Sequence, residues 1–377
     1  MSRSAKTQPQ ETEFLWYLPN TVEPGHRGDN GTVDDGYGSL DYQVDLARRV
    51  EDHGWAGALL GTSWGRPDTF TVATSITART TTFNPLIAIR PGYWRPAHFA
   101  SAAATLDQLS GGRVRVNIVS GQDNLHQYGD VEGDQAQRYA RTKEFMRLVR
   151  RLWTEEHVTF EGEHFSVSDS TVSPRPVARE GRPHPRLYFG GASEPAERVS
   201  ATESDVQLFW GEPLDGVAER IARLKGLEQS LERDLPPLEF GLRITTLVRD
   251  TTEEAWHDAE AKVATMAEQA ADDTFRQRFQ RSGFKATGQQ RLLDLAERGD
   301  VLDTCLYTAP GRYGGGGAGT TWLVGSAEDV AHALRKYQQL GITHFVLSDT
   351  PYKTEIGRVG DSVLPLLRHE AVVAQSA

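Results

Sequence analysis

The chain has 377 residues, of which 38% are hydrophobic, a formal net charge of -11 at pH 7 and an isoelectric point near 5.5. Such an acidic chain lacks the basic face that general nucleic-acid binding requires, although it leaves room for a local basic pocket around a small anion. Its single cysteine, Cys305, excludes an internal disulfide and a cysteine-rich metal site.

No segment of the sequence has the pattern of a membrane span. No apolar run approaches the roughly 20 residues needed to cross a bilayer. Residues 1–12 are polar and lack the apolar centre of a signal peptide, so we expect a disordered leader there and a short tail at 371–377. These features predict a soluble protein of the cytoplasm that does not bind membranes.

Apolar segments with strand character alternate with segments of helical periodicity along the chain. The predicted strands are Phe14–Leu18, Ala56–Leu60, Pro85–Ile89, Val114–Val119, Arg186–Phe189, Gln207–Trp210, Phe240–Val248 and His344–Leu347. The predicted helices include Leu40–His53, Thr69–Ala78, Ala97–Leu109, Arg138–Leu152, Glu194–Ser200 and Pro213–Glu228. Strands separated by helices indicate β-α-β units and a parallel sheet.

About eight such strands fit a closed (β/α)8 barrel better than an open sheet. We therefore predict an α/β fold, with one TIM-barrel domain over 13–370 and insertions near 155–185 and 252–325. Within the first insertion, Val158–Val167 has the pattern of a β-hairpin. Ligand-binding and catalytic groups are expected on the loops that follow the C-terminal ends of the strands.

A glycine-rich run at 311–320 lies in the second insertion. Fixing such a backbone in one conformation costs much conformational entropy. The run is therefore predicted to be either a mobile lid over an active site or an ordinary surface loop. Arg312 and Tyr313 within the run favour contact with a ligand. It is not a P-loop, because no lysine follows the glycines.

The most informative segment is Leu187–Ser193, in which a short apolar strand runs into Gly190, Gly191, Ala192 and Ser193 before a helix begins. Glycines let the backbone approach a ligand closely, and the amides at a helix N-terminus attract anions. The segment therefore indicates a phosphate-binding turn, or a strand-to-helix turn that is glycine-rich for steric reasons alone.

Polar residues follow the fourth predicted strand and open the next helix. Asn117 and Ser120 lie where that strand ends, and the amide of Asn117 suits the edge of a heterocycle such as a flavin, unless it only satisfies loop backbone. Arg138 and Tyr139 could reach a phosphate or stack on a ring, unless both face solvent.

Two further residues point to the mouth of the predicted barrel. Trp210 ends a strand and is either a cap of the core or a wall of the substrate pocket. Arg243 lies inside a strand at a period that directs it inward, and a buried arginine needs an anionic partner. That partner is a structural carboxylate or an anionic substrate, and Arg90 poses the same question. The eleven histidines show no metal-binding spacing, so no metal site is predicted.

Taken in order, ten segments resemble the alkanesulfonate monooxygenase family of the bacterial-luciferase-like flavin monooxygenases, from Phe14 to about Leu367. The segments are Phe14–Pro19, Ala88–Pro91, Ala103–Arg113, Asn117–Gly121, Arg138-Tyr139, Leu187–Gly191, Trp210–Pro213, Phe240–Arg243, Gly316–Thr320 and Phe345–Ser348. Each segment is weak evidence by itself, and their ordered spacing is what makes the resemblance strong.

The resemblance implies FMN, delivered as FMNH2 by a separate NAD(P)H-dependent FMN reductase, which activates O2 to cleave a C–S bond and release aldehyde and sulfite. It also implies a homodimer or homotetramer. In this reading the turn at Gly191, Ala192 and Ser193, with Arg138 and Tyr139, holds the FMN phosphate and ribityl chain. Asn117 and Ser120 lie near the flavin ring. Trp210, Arg243 and Arg312 line the pocket of a small anionic substrate.

The chain also departs from the family pattern. The segment Gly61–Asp68 lacks the family's cysteine and carries Trp64 and Arg66, Thr245 replaces a histidine, and Asp349–Pro351 replaces a segment with an active-site tyrosine. These changes leave open a related oxygenase for a sulfone, for Baeyer–Villiger chemistry or for a biosynthetic substrate, and a deazaflavin-dependent oxidoreductase on the same barrel. A flavin- or anion-binding barrel without catalysis is the alternative from another class.

Overall fold

The chain alternates strands and helices as its hydrophobic pattern predicts. The computed structural model describes residues 12–20, 39–62, 66–121, 125–130, 134–179, 181–270, 287–313 and 319–368. The strands are β1 Glu13–Leu18, β2 Gly57–Leu60, β3 Asn84–Ile89, β4 Arg115–Ile118, β5 Val158–Glu161, β6 Ser166–Ser170, β7 Leu187–Phe189, β8 Val206–Trp210, β9 Glu239–Val248, β10 Val301–Leu302, β11 Leu306–Tyr307, β12 Trp322–Gly325 and β13 Ile342–Ser348. The helices are α1 Leu40–Asp52, α2 Thr69–Thr77, α3 Pro96–Leu109, α4 Gln135–Thr154, α5 Glu194–Glu203, α6 Leu214–Ser230, α7 Thr252–Ala270, α8 Thr287–Arg298, α9 Ala327–Leu340 and α10 Tyr352–Ser362.

Eight parallel strands close into a barrel. Their order is β1-β2-β3-β4-β7-β8-β9-β13, and β13 pairs again with β1. The junction of β8 with β9 runs from the pair Val206 and Glu239 to the pair Trp210 and Arg243. The predicted (β/α)8 barrel fold is confirmed, and the loops after the strands' C-terminal ends share one face.

The helices pack around the barrel because each has an apolar stripe at helical spacing. In α1, the buried residues Tyr42, Leu46, Ala47 and Val50 recur at this spacing. The helix begins where the Ser39 side chain accepts a hydrogen bond from the Tyr42 amide at 3.1 Å. Burying such stripes against the outer face of the strands builds the main core, and a second cluster forms where Ala255, Ala259 and Val263 of α7 pack near β12.

The interior of the barrel has a polar floor at the N-terminal end of the strands. Glu13 on β1 pairs with Arg115 on β4 and accepts a hydrogen bond from the Tyr188 hydroxyl at 2.9 Å. His344 on β13 lies 3.3 Å from Glu13 and 2.6 Å from Glu239. Burial opposes the ionisation of Glu13, but Arg115 and then His344 hold the pKa of its carboxyl well below the usual range. The floor is therefore closed by mutually satisfied charges.

Two parts of the chain extend beyond the eight-strand repeat. The predicted hairpin is present as β5 and β6, which pair antiparallel. Strands β10, β11 and β12 were not predicted, and β12 pairs parallel with the second half of β9, where Trp322 stands beside Thr245. Strands β10 and β11 have only two residues each, too few for a strand pattern, and β12 directly follows the glycine-rich run that pattern analysis assigned to a loop.

Some predictions fall on residues outside the described part of the chain. These are the leader up to residue 11, Trp64, residues 314–318 of the glycine-rich run and the tail from 371. The lid and the division of the chain into leader, barrel domain and tail stay predictions. Among the described residues, no helix is long and apolar enough to cross a membrane.

A buried ionic cluster joins α10 and α7 to the C-terminal ends of β9 and β13. Lys262 on α7 donates to the buried Asp349 at 2.9 Å. Glu355 on α10 lies 3.4 Å from Arg249 and 3.1 Å from Arg358. Burial, and then the nearby charge of Asp349, raise the pKa of the Glu355 carboxyl to about 7 despite these two arginines.

Glu355→Gln should therefore change how the stability of the protein depends on pH. A carboxyl with a pKa of 4.5 when unfolded and about 7 when folded destabilises the native state as pH rises through that window. This cost reaches roughly 3 kcal/mol above the folded pKa, and the amide does not have it. Urea unfolding of both proteins at about pH 5 and about pH 8 measures the difference.

The variant is expected to gain stability relative to the native protein between these two pH values. A stability difference that is the same at both would show that Glu355 does not titrate in this window.

Candidate active site

The turn after β7 has a backbone that only glycine adopts without strain. Gly191 has φ +155°, and a Cβ built on it would lie 2.5 Å from the Cβ of Ala196 in α5. Gly191, Ala192 and Ser193 lead directly into α5, with Ser193 as the N-cap residue. The side chain of Ser193 caps nothing: its Oγ is buried and has no hydrogen-bond partner among the described residues.

Two side chains outside the turn hold the carbonyl of Gly191. Gln207 on β8 donates to it from Nε2 at 3.2 Å, and Arg220 on α6 donates to it from Nη2. Because both donors engage the carbonyl oxygen, the turn is fixed without using the hydroxyl of Ser193. This arrangement leaves that hydroxyl and the start of α5 available to an anion.

The negative charge in the first turn of α5 is compensated. Glu197 lies 3.0 Å from Arg220 and 2.6 Å from Arg223. Arg220 also contacts Glu212 at 2.9 Å, and Glu212 in turn pairs with Arg291 of α8 at 2.6 Å. An uncompensated carboxylate there would repel an anion at the helix N-terminus, so this ionic network preserves the attraction.

Helix α4 brings Tyr139 to the glycine turn. The helix begins at Gln135 rather than at Arg138, because Asp134 caps it and accepts a hydrogen bond from the Gln137 amide at 2.8 Å. The Tyr139 hydroxyl lies 3.8 Å from where a Cβ of Gly191 would be, and its ring packs edge-on against Phe189. The structure thus joins the predicted tyrosine to the predicted turn.

Arg138 and Ser120 line a pocket of about 240 Å³ between α4 and the ends of β3 and β4. Arg90 and Arg141 also line it, which makes the pocket strongly cationic. The Ser120 hydroxyl bonds to the hydroxyl of Thr142 on α4, and Arg90 donates to the Gly121 carbonyl. Arg138 and Ser120 therefore line one pocket, and their predicted roles at the FMN phosphate and near the flavin ring stay predictions. Arg141 is itself paired with Asp130 at 2.7 Å.

Asn117 belongs to the interior of the barrel. It stands beside Ala88 of β3 and Tyr188 of β7, and paired residues of parallel strands point to the same side. Its side chain is buried, and its Oδ1 has no hydrogen-bond partner among the described residues. The Oδ1 of Asn117 therefore accepts no hydrogen bond from the described loop backbone. A buried acceptor without a donor suits an N–H group of a ligand.

Trp210 and Arg243 stand side by side across the β8–β9 junction, and both are partly exposed. The Arg243 guanidinium lies 4.3 Å from the ring centre of Tyr17 on β1. Among the described residues, no carboxylate forms an ion pair with Arg243, so the structure offers no structural carboxylate for it. Gly288 at the start of α8 lies close to Ala192 and Trp210, so the second insertion borders the site.

Arg312 is placed differently from the other predicted site residues. It donates to the Ala296 carbonyl at 2.8 Å and pairs with Asp300, contacts that tie its turn to the end of α8. Its side chain is 42% exposed, and within the described residues no hydrogen bond, ion pair or ring contact joins it to Trp210 or Arg243. Its role in the substrate pocket stays a prediction.

Two features of the site were missed by pattern analysis. Gln207, the brace of the turn, is a polar residue in an apolar strand, and that contrast was its only signal. Tyr17 and Arg66 converge on Arg243, and Arg66 was noticed only as a departure from the family pattern. Both depend on contacts between strands that are distant in sequence.

If the Gly191 turn binds FMN, as the resemblance implies, Gln207→Met should weaken FMN binding roughly fivefold, because the loss of one hydrogen bond of about 1 kcal/mol leaves the turn less firmly held. Fluorescence titration with FMN measures this change. The matched control is Gln229→Met on the exposed face of α6, which should bind FMN as the native protein does. Equal affinity in the two variants would mean that the brace does not support the binding turn.

Solved structures with the same fold were found by comparison. A riboflavin lyase crystallised with modified FMN and riboflavin is 18% identical, with a TM-score of 0.71 over 96% of this chain and 92% of that one. EDTA monooxygenase from Chelativorans sp. BNC1 is 16% identical, with a TM-score of 0.74 over 96% and 95%. An F420-dependent secondary alcohol dehydrogenase is 16% identical, with a TM-score of 0.66 over 95% and 99%. At these identities the likeness shows the barrel fold alone.

The family of the chain follows from its sequence. A family model described as luciferase-like monooxygenase matches residues 12–344. This range contains the first seven barrel strands, the start of β13 and every predicted site residue. The chain therefore belongs to the luciferase-like monooxygenase family of enzymes.

Proposed function

We propose that this enzyme is the oxygenase of a two-component system that uses FMN reduced by a separate NAD(P)H-dependent reductase. Its substrate is a small anionic organosulfur compound, and oxidative cleavage of the C–S bond yields an aldehyde and sulfite. The proposal rests on one observation above all. The Ser193 hydroxyl of the glycine turn and the buried Oδ1 of Asn117 have no hydrogen-bond partner among the described residues, and Arg243 has no described carboxylate partner. Ser193 follows β7, Asn117 lies near the end of β4 and Arg243 pairs with the last residue of β8, so all three lie at the same face of the barrel.

The described residues fit FMN. Any side chain at Gly191 would fill the turn, so glycine keeps its backbone open to a phosphate group. The buried Ser193 hydroxyl has no described partner and could donate to the same phosphate. Arg138 and Tyr139 would hold the phosphate and the ribityl chain from the side of α4. Asn117 and Ser120 would lie near the ring, where the Oδ1 of Asn117 accepts a hydrogen bond from a ring N–H.

The chain's own residues bind, orient and shield the reactants. Reduced FMN, when bound, supplies the electrons that activate O2. Arg243 would hold the anionic group of the substrate, since a guanidinium matches the oxygens of a sulfonate or carboxylate. Trp210 and the start of α8 would limit the access of water to the mouth. Arg312 would complete the pocket only if the glycine-rich run brings it closer.

A different substrate within the same chemistry is the second candidate, and specific contacts favour it. Thr245, where the family has a histidine, lies 3.4 Å from the hydroxyl of Ser348. Asp349, in the segment that replaces the family's tyrosine, pairs with Lys262. A sulfone, a Baeyer–Villiger substrate or a biosynthetic intermediate would fit a pocket changed in this way. A deazaflavin-dependent oxidoreductase is a further alternative, and the F420-dependent dehydrogenase among the structural neighbours supports it.

The proposal extends to the setting of the enzyme. A cytoplasmic location suits a protein that receives FMNH2 from a reductase that uses NAD(P)H. The resemblance favours a homodimer or homotetramer, which sedimentation would establish.

The proposal predicts tight anaerobic binding of FMNH2 and, after a pulse of oxygen with a panel of alkanesulfonates, release of sulfite. Sulfite is measured by a colorimetric thiol assay, and free FMNH2 with oxygen but without enzyme is the control. Binding without sulfite, together with another oxygenated product, would support the second candidate. Absence of FMNH2 binding, with binding of a reduced deazaflavin instead, would contradict the use of FMN.

Arg243→Gln should raise the KM for the anionic substrate roughly tenfold to a hundredfold, because a charge-assisted hydrogen bond contributes about 1.5–3 kcal/mol. The affinity for FMNH2 should change little. Steady-state kinetics at saturating FMNH2 measure the KM, and Arg48→Gln on the exposed face of α1 is the matched control. An unchanged KM would show that Arg243 does not hold the substrate's anionic group.

A further inference from the structure

The hydroxyl of Tyr17 is the meeting point of two arginines from different parts of the barrel. Tyr17 is the penultimate residue of β1, close to the C-terminal end of the strand, and its side chain faces the interior of the barrel. Arg66, in the segment after β2, donates to the Tyr17 hydroxyl oxygen from Nη1 at 3.2 Å and to the Asn20 carbonyl at 3.3 Å. The Arg243 guanidinium of β9 lies over the Tyr17 ring at 4.3 Å.

The hydroxyl of Tyr17 still has its own proton to donate. Its oxygen accepts from Arg66, and no described residue accepts a hydrogen bond from it. Gly61 packs closely beside the hydroxyl, since a Cβ there would lie 3.2 Å from the Tyr17 oxygen and 3.5 Å from the Arg66 Nη1. A hydroxyl that is fixed by one donor and keeps its own hydrogen unused is suited to donate to a ligand.

The two arginines carry charge that the described residues do not neutralise. No described carboxylate forms an ion pair with Arg66 or Arg243, whereas Arg220 and Arg115 elsewhere in the protein each bond to glutamates. Both side chains are partly exposed, but the Nε of Arg243 is buried and has no hydrogen-bond partner among the described residues. Two adjacent guanidiniums without a described carboxylate form a cationic site that suits an anion.

The pKa shifts of Tyr17 and Arg243 reflect the positive charge concentrated here. Burial opposes the ionisation of its phenol, yet the charges of Arg66 and Arg243 lower the pKa of Tyr17 below its usual value. Burial, and the charge of Arg66, lower the pKa of Arg243. The phenol of Tyr352 on α10 also interacts electrostatically with Arg243 and partly opposes this lowering of its pKa.

We propose that Tyr17, Arg66 and Arg243 form an oxyanion-binding triad that holds the sulfonate or carboxylate group of a small organic ligand. The two guanidiniums neutralise the anion, and the Tyr17 hydroxyl donates a hydrogen bond to one of its oxygens. That the ligand is the substrate rests on the proposed function. The inference deepens that function by naming the group through which the substrate is recognised. The binding itself needs neither FMN nor turnover.

The test uses ethanesulfonate and propionate as probes, with isothermal titration calorimetry on the full chain. Tyr17→Phe keeps the ring under Arg243 and removes only the hydroxyl, and Arg66→Gln removes one charge. Each substitution should weaken probe binding roughly tenfold, because each removes a hydrogen bond or a charge of about 1.4 kcal/mol. Tyr307→Phe is the control, since Tyr307 packs between Trp256 and Trp322 away from the triad.

The pH dependence separates hydrogen-bond donation from simple packing. Once Tyr17 ionises, its hydrogen is lost and the phenolate repels the bound anion, so the affinity for ethanesulfonate should fall about tenfold per pH unit above the pKa of Tyr17. This fall should be absent in Tyr17→Phe. Absorbance of phenolate near 295 nm should show one of the eleven tyrosines ionising below the rest in the native protein and in Tyr307→Phe, but not in Tyr17→Phe.

The outcomes discriminate between this inference and the proposed function. Equal probe affinity in the native protein and in Tyr17→Phe at every pH, or no binding of either probe, overturns the triad even if sulfite is released during turnover. Probe binding that depends on the triad, combined with no FMNH2-dependent oxidation, supports the triad and overturns the proposed function. The preferred probe identifies which oxyanion the site takes.

Discussion

Closure of the eight-strand barrel is the constraint on which the rest of the structure depends. Because the strands are parallel and the sheet closes on itself, alternate residues of each strand face one shared interior. At the N-terminal end the ionic floor around Glu13 and Arg115 fills that interior. At the C-terminal end the same alternation delivers Asn117, Arg243 and Tyr17 from three strands that are far apart in sequence. Register therefore assembles the site as a consequence of closing the fold.

The second requirement is that the anion-binding turn be held from behind. The carbonyl of Gly191 is engaged by Gln207 and Arg220, and Arg220 belongs to an ionic network that reaches Arg291 on the inserted helix α8. Such a buried network is expensive to leave incomplete. The barrel, the turn and the insertion are thus coupled, and α8 is fixed next to Trp210 instead of being an independent appendage.

The two ends of the site differ in how their charges are balanced. Around the turn, each carboxylate near α5 is matched by arginines, as Glu197 is by Arg220 and Arg223. At the barrel mouth, Arg66 and Arg243 have no described carboxylate, and a phenol stands between them. Ion pairs neutralise buried charges elsewhere in the described protein, whereas the positive charge of Arg66 and Arg243 is left for an incoming anion to neutralise.

The sequence by itself determined the barrel, because apolar strands and amphipathic helices alternate at periods that local geometry fixes. It also indicated the turn at Gly191, since a strand, two glycines and a serine are contiguous, and it placed Arg243 on an inward position. Only the tertiary structure decided which side chains meet. The first turn of α4 begins at an N-cap that pattern analysis missed. Strand β12 is recognised by its pairing with the second half of β9, and the contact of Tyr17 with Arg66 joins residues 49 positions apart. Such pairings depend on strand register and on packing between distant elements, and no local sequence period records them.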